Sequence, residues 1–180
     1  MLGKASAGFS RPSTHSTFGY SSWPREAPIE RGTLVTIDWG AKLDGYNSDC
    51  TRTYAVGDPD QDLIDIYELV RSAQEAALRA VRAGPEGREV DAVARDIITA
   101  AGHGEHFGHG LGHGVGLEIH EAPRLARTAD GRLAAGNVVT VEPGIYLPGR
   151  GGARIEDLVA VTEAGHDVLS ATPKALTTVG

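Results

Sequence analysis

Five of the seven histidines in this 180-residue chain fall within residues 103–123, HGEHFGHGLGHGVGLEIHEAP. Imidazoles crowded in this way can bind metal ions or move protons near neutral pH. Carboxylates flank them on both sides, in TIDWGAKLDGYNSDCTRTY at 36–54 and in VVTVEPGIYLPGRGGARIEDLVAV at 138–161. Asp38 and Asp49 are equidistant from a point between Leu43 and Asp44, and Glu142 and Glu156 are equidistant from Gly149. If each segment is a hairpin, each pair of acids faces across two antiparallel strands, about 5 Å apart. Like charges so placed repel, and two such pairs among apolar neighbours point to cations bound between them. Four carboxylates and a histidine can hold two divalent ions about 3.5–4 Å apart, an arrangement that activates water for hydrolysis. An oxygen-rich set with imidazole suits Mn, Co, Zn or Fe and disfavours Cu(I).

The elements that must position these residues can be read from hydrophobic periodicity. Residues 33–37 are mostly β-branched, Asp44-Gly45 offers a turn, and 46–54 reads as the returning strand of a first hairpin. Asp58-Pro59 predicts a helix start. Leu63, Ile66, Tyr67, Val70, Ala73, Ala77 and Val81 then recur at helical spacing until Gly84-Pro85. A shorter helix is expected over 89–101, with Val90, Val93, Ala94 and Ile97 on one face and Gly102 as its stop. The His-rich segment has too many glycines for a helix. A second hairpin follows, with 138–141 leading into Glu142 and 153–161 returning from a turn at 148–152. A short strand at 167–169 is the last element expected.

Composition narrows the class of protein. A chain of this length is one domain by default and buries roughly 70% of its unfolded surface. Its net charge of −7 carries no basic block, so neither nucleic acid nor an anionic membrane is expected as partner. Cys50 is the single cysteine, which excludes a multi-thiolate centre and fits a reducing cytoplasm. No stretch approaches the roughly 20 apolar residues of a membrane span. Residues 1–31, rich in Ser, Gly and Pro, show no periodicity and read as a divergent or poorly ordered segment ahead of a domain at 32–180.

TIDWGAKLDGYNSDCTRTY, HFGHGLGHGVGLEIHEAP, VVTVEPGIY and ARIEDLVAV, taken in order, resemble the motifs of the pita-bread metallopeptidases, in the Xaa-Pro aminopeptidase and prolidase branch. The resemblance implies an α+β fold whose curved antiparallel sheet is covered by helices. It implies two divalent metal ions, with manganese the first expectation, held by Asp38, Asp49, His113, Glu142 and Glu156. Asp49 and Glu156 would bridge the metals, and Glu142 would also handle the proton of the attacking water. His109 and His120 match positions that orient substrate and stabilise the tetrahedral intermediate, while Arg154 and Tyr146 match positions beside the metals. The implied activity is hydrolysis of the Xaa-Pro bond at peptide N-termini, on a peptide or dipeptide with proline second, in a chain that can form a homo-oligomer.

Two departures qualify the resemblance. A histidine of the Xaa-Pro members falls at Ser21 here, with His15 six residues too early, although Pro24 and Ile29 keep their places. Helices, a strand and an N-terminal domain that precede the first Asp in the family do not fit into 31 residues. A domain incomplete at its start is therefore expected, with exposed apolar surface and weakened activity. The rival readings are a non-catalytic binding module of the same fold and a hydrolase like methionine aminopeptidase or creatinase. Against them stand the complete ligand set and the extended HGLGHGVG form.

Overall fold

The computed structural model describes residues 28–180. The expectations for residues 1–27, including Ser21, His15 and Pro24, lie outside the described residues. Ile29 is described and exposed.

The first hairpin is formed by β1 (Thr33–Trp39), β2 (Lys42–Leu43), β3 (Tyr46–Asn47) and β4 (Cys50–Val56). Its turn is Asp44-Gly45, both with positive φ, of 50° and 92°, the conformation that a tight two-residue hairpin turn needs. The ladder runs Leu43↔Tyr46 and Lys42↔Asn47 and then, past a break at 40–41 and 48–49, Trp39↔Cys50 to Thr33↔Val56. Its centre therefore lies one residue beyond the point predicted from the sequence. Asp38 stands opposite Thr51 and not opposite Asp49. Two residues before Thr51, Asp49 falls diagonally from Asp38, a displacement that keeps both acids on one face of the sheet.

Helix α1 spans Gln61–Ala80 and α2 spans Gly87–Ala100. Asp60, not Asp58, is the N-cap of α1. Helix α2 starts two residues earlier than expected because Glu86 and Glu89 form a capping box, in which the Glu86 amide donates to Glu89 Oε2 at 2.7 Å. Gly102, with φ of 88°, lies just beyond the helix, where a left-handed conformation closes a helix and only glycine adopts it freely. The buried face of α2 is Val90, Asp91, Ala94, Arg95 and Ile98, so the predicted Val93 and Ile97 lie to its sides.

The His-rich segment holds a 3₁₀ turn at Gly104–His106 and two strands, β5 (Gly112–Gly114) and β6 (Glu121–Leu125). Its glycines are steric requirements: a Cβ on Gly112 would lie 2.0 Å from the Thr140 carbonyl oxygen, and one on Gly114 would lie 2.4 Å from that of Ala122. Strand β5 runs between β6 and β7 (Val138–Val141). The second hairpin continues as β8 (Gly144–Leu147), β9 (Gly151–Arg154) and β10 (Asp157–Val161), followed by β11 (His166–Val168) and β12 (Thr178–Val179). Strand β12, which the sequence pattern missed, pairs in parallel with β4.

The two larger sheets have the orders β1-β4-β12 and β11-β10-β7-β5-β6. Helices α1 and α2 pack on each other and against strands β6, β7 and β9. The shared core joins Ile66, Val70, Ala73 and Ala77 of α1 and Val90, Ala94 and Ile98 of α2 to Val139, Val141, Ile155 and Val159. Each large aliphatic side chain buried there contributes about 1.5–3 kcal/mol. No helix among the described residues is long and apolar enough to cross a membrane.

Candidate metal centre

The second hairpin keeps one register across a gap between its ladders. Val141 pairs with Asp157 and Gly144 with Arg154. Glu142 and Glu156 fall opposite each other by the same count, between β7 and β8 on one side and between β9 and β10 on the other. Asp49 occupies the comparable break before β4, and His113 is the middle residue of β5. Acids at breaks in the ladders leave the pleat and can converge on one point.

They do converge. Asp49, His113 and Glu156 each bring a ligand atom within 4.8 Å of the other two. His113 Nε2 lies 3.7 Å from Asp49 Oδ2 and 3.2 Å from Glu142 Oε1. Asp38, more exposed, is held by Nη2 of Arg154. Around this group the remaining polar atoms form chains. Arg154 Nε donates to Thr51 Oγ1 at 3.2 Å, and that hydroxyl donates to Glu156 Oε2 at 2.6 Å. The His113 amide donates to Thr140 Oγ1 at 3.0 Å, which donates to Glu142 Oε1 at 2.9 Å. Thr51 and Thr140 were not singled out from the sequence, although each is two residues from an acid on the same strand face.

The other Glu156 oxygen, Oε1, is buried without a hydrogen-bond partner. A buried carboxylate oxygen left bare costs free energy unless a cation or a proton meets it. Burial, with Asp38 and Glu142 close by, pushes the Asp49 carboxyl up to about 7. Burial together with Glu142 and Asp49 raises Glu156 well above the usual carboxylate range. Burial acts the same way on Glu142, but a hydrogen bond from His113 and the charges of His113 and Arg154 outweigh it and hold that carboxyl low. Burial also disfavours the His113 imidazolium, and the bond to Glu142 more than offsets this. A divalent ion among these acids would displace the protons that burial favours on Asp49 and Glu156.

His113 is oriented for that exchange. Its Nδ1 lies 3.0 Å from the Gly114 carbonyl oxygen; donation there leaves Nε2 to face the acids. His109 is held similarly, with Nδ1 2.8 Å from the Gly110 oxygen and Nε2 3.0 Å from the Tyr146 hydroxyl, which accepts from Arg154 Nη1 at 3.0 Å. Burial keeps His109 neutral by lowering its pKa. His120 is exposed, its ring 4.2 Å from that of His113, and burial of its inner edge and the His113 charge lower its pKa. Cys50 carries a thiol raised by burial and contacts the Glu156 carbonyl, so it acts as a filler.

Sequence reasoning also missed the support beneath the His-rich loop. Arg95 forms a two-pronged pair with Asp91 at 2.7 and 2.8 Å and donates to the carbonyl oxygens of Phe107 and His109. Asp91 accepts from the Leu111 amide. The available signal was an Asp and an Arg four residues apart on the apolar side of α2.

The model of metallopeptidase family M24 matches residues 12–163. The chain belongs to that family. Its M24 relatives include the Xaa-Pro dipeptidase of Pyrococcus furiosus, 51% identical over 148 residues, which are 82% of this chain and 42% of that protein. Among M24 structures, the Xaa-Pro dipeptidase from Bacillus anthracis superposes with a TM-score of 0.85 at 53% identity, over 86% of this chain and 44% of that one. The X-Pro aminopeptidase from Thermotoga maritima gives 0.81 at 43% identity, over 84% and 42%. The α+β pita-bread architecture expected from the motifs is therefore that of this M24 chain, which spans less than half the length of these relatives.

Proposed function

We propose that this chain carries the metal centre of a dinuclear metallopeptidase that hydrolyses Xaa-Pro bonds, with Asp38, Asp49, His113, Glu142 and Glu156 as ligands. The observation that carries the reading is the bare, buried Oε1 of Glu156 beside Asp49 and His113. Oxygen donors with one imidazole fit two hard or borderline divalent ions, manganese first and cobalt, zinc or iron next. When bound, such ions polarise a carbonyl and lower the pKa of water.

The residues of the chain supply the rest. Glu142, bonded to both Thr140 and His113, takes the proton of the attacking water. His109, kept neutral with its Nδ1 proton on the Gly110 oxygen and its Nε2 at the Tyr146 hydroxyl, orients the substrate, and the exposed His120 donates to developing negative charge. Arg154 links Asp38, Thr51 and Tyr146 and balances the acids. The substrate class, a peptide or dipeptide with proline second, follows from the Xaa-Pro dipeptidases and X-Pro aminopeptidase to which the chain is similar. A single free cysteine suits a reducing, cytoplasmic setting.

Calorimetric titration with Mn²⁺, beside an Asp49→Ala control, tests the reading. About two ions per chain are expected, with binding lost in the variant. Binding that survives in Asp49→Ala, or none in the unaltered chain, would overturn it. Assay of the loaded chain on Xaa-Pro dipeptides then measures how much turnover this portion supports.

A further inference from the structure

Directly behind the acids, on the helix side of the sheet, lies a second charged group that the proposed chemistry does not use. Arg52 and Asp157 are 1% and 0% exposed and pair at 2.7 Å. Each follows a residue of the site, Thr51 or Glu156, and alternation along a strand therefore turns it to the opposite face. Strands β4 and β10 belong to different sheets, and the metal centre sits on the seam between them.

Arg52 spans this seam. Its Nη1 donates to the carbonyl oxygens of both Thr51 and Glu156, and its Nη2 reaches Asp157 Oδ1 and the Thr172 oxygen. Asp157 Oδ2 accepts from Lys174 Nζ at 2.8 Å and from Gln74 Nε2 at 3.0 Å. The same Gln74 nitrogen lies 3.4 Å from the oxygen of Val141, the residue before Glu142. One cluster thus grips the backbone beside Glu142, at Glu156, and two residues past Asp49. A hydrophobic filling would close the same space at less desolvation cost, but it could not bond three carbonyl oxygens on strands from two sheets.

We propose that Arg52, Asp157, Gln74 and Lys174 form a positioning cluster that sets the separation of the metal-binding carboxylates from the far face of the sheet. The proposal rests on the dinuclear reading above. It also accounts for the stretch at 172–174, whose carbonyl oxygens and Lys174 side chain complete the cluster.

The test uses Asp157→Asn and Lys174→Met in the full chain. Mn²⁺ affinity is measured by calorimetry, the fold by near-ultraviolet circular dichroism, and metal–metal coupling by electron paramagnetic resonance at full loading. Loss of stability alone would leave the resonance spectrum of the loaded, folded protein unchanged. The expected result for Asp157→Asn is an affinity lower by about 10–100-fold, as for other residues that orient metal ligands, with an altered coupling pattern. A smaller loss is expected for Lys174→Met, whose ammonium group is partly exposed and whose variant decides the matter if Asp157→Asn fails to fold. Variants that melt earlier but keep the affinity and spectrum of the unaltered chain would overturn the cluster's role and leave the dinuclear reading intact. Absence of Mn²⁺ binding by the unaltered chain would overturn both.

Discussion

At the residue scale, burial of the carboxylates, reinforced by their mutual repulsion, governs the site. The folded chain keeps on Asp49 a proton, up to about pH 7, that the unfolded chain gives up at the ordinary carboxylate pKa. Between those two values the folded state binds more protons, so stability falls as pH rises through that window. Glu156, raised in the same direction, adds to the effect. Melting of the chelator-treated chain is therefore expected at lower temperature at pH 8 than at pH 5. Added Mn²⁺ should raise the melting temperature more at pH 8 than at pH 5, because fewer protons compete for the acids. Thermal scans at the two pH values, with and without metal, measure this directly.

At the scale of elements, α2 holds the His-rich loop through Arg95 and Asp91. Removing one partner of a buried pair leaves the other charge unmet, at a cost of about 3–5 kcal/mol. Urea unfolding of Arg95→Ala should show a loss of that size. A loss below about 1 kcal/mol, the level of exposed pairs, would mean that the loop holds itself. The pair was hidden from a reading by periodicity because that method counts apolar residues, and here two charged side chains occupy the buried face. The hairpin register was similarly hard to read. The turn residues were identified correctly, but whether the hairpin is centred before or after Asp44 depends on backbone dihedrals that close only in the folded ladder.

For the whole molecule, several exposed apolar side chains lie along the first hairpin. Ile37 and Trp39 alternate on β1 at 48% and 39% exposure. Leu43 pairs with Tyr46 at the hairpin tip, where Leu117 approaches Gly45. Apolar surface of this kind drives association. Sedimentation velocity should show a weight-average mass that rises with concentration, and Ile37→Ser with Leu43→Ser should suppress the rise. An unchanged single monomer peak in both proteins would show that this face is satisfied within the chain.

The sequence alone determined the family, the two hairpins, the two helices and the set of acids and histidines, because these follow from local periodicity, turn chemistry and short motifs. Only the tertiary structure decided which atoms meet. It moved Asp38 opposite Thr51, made hydroxyl relays of Thr51 and Thr140, and paired Arg52 with Asp157 on the face of the sheet opposite the acids. Those outcomes depend on register between strands far apart in the chain and on which of two sheets each strand joins, and both are set by long-range packing.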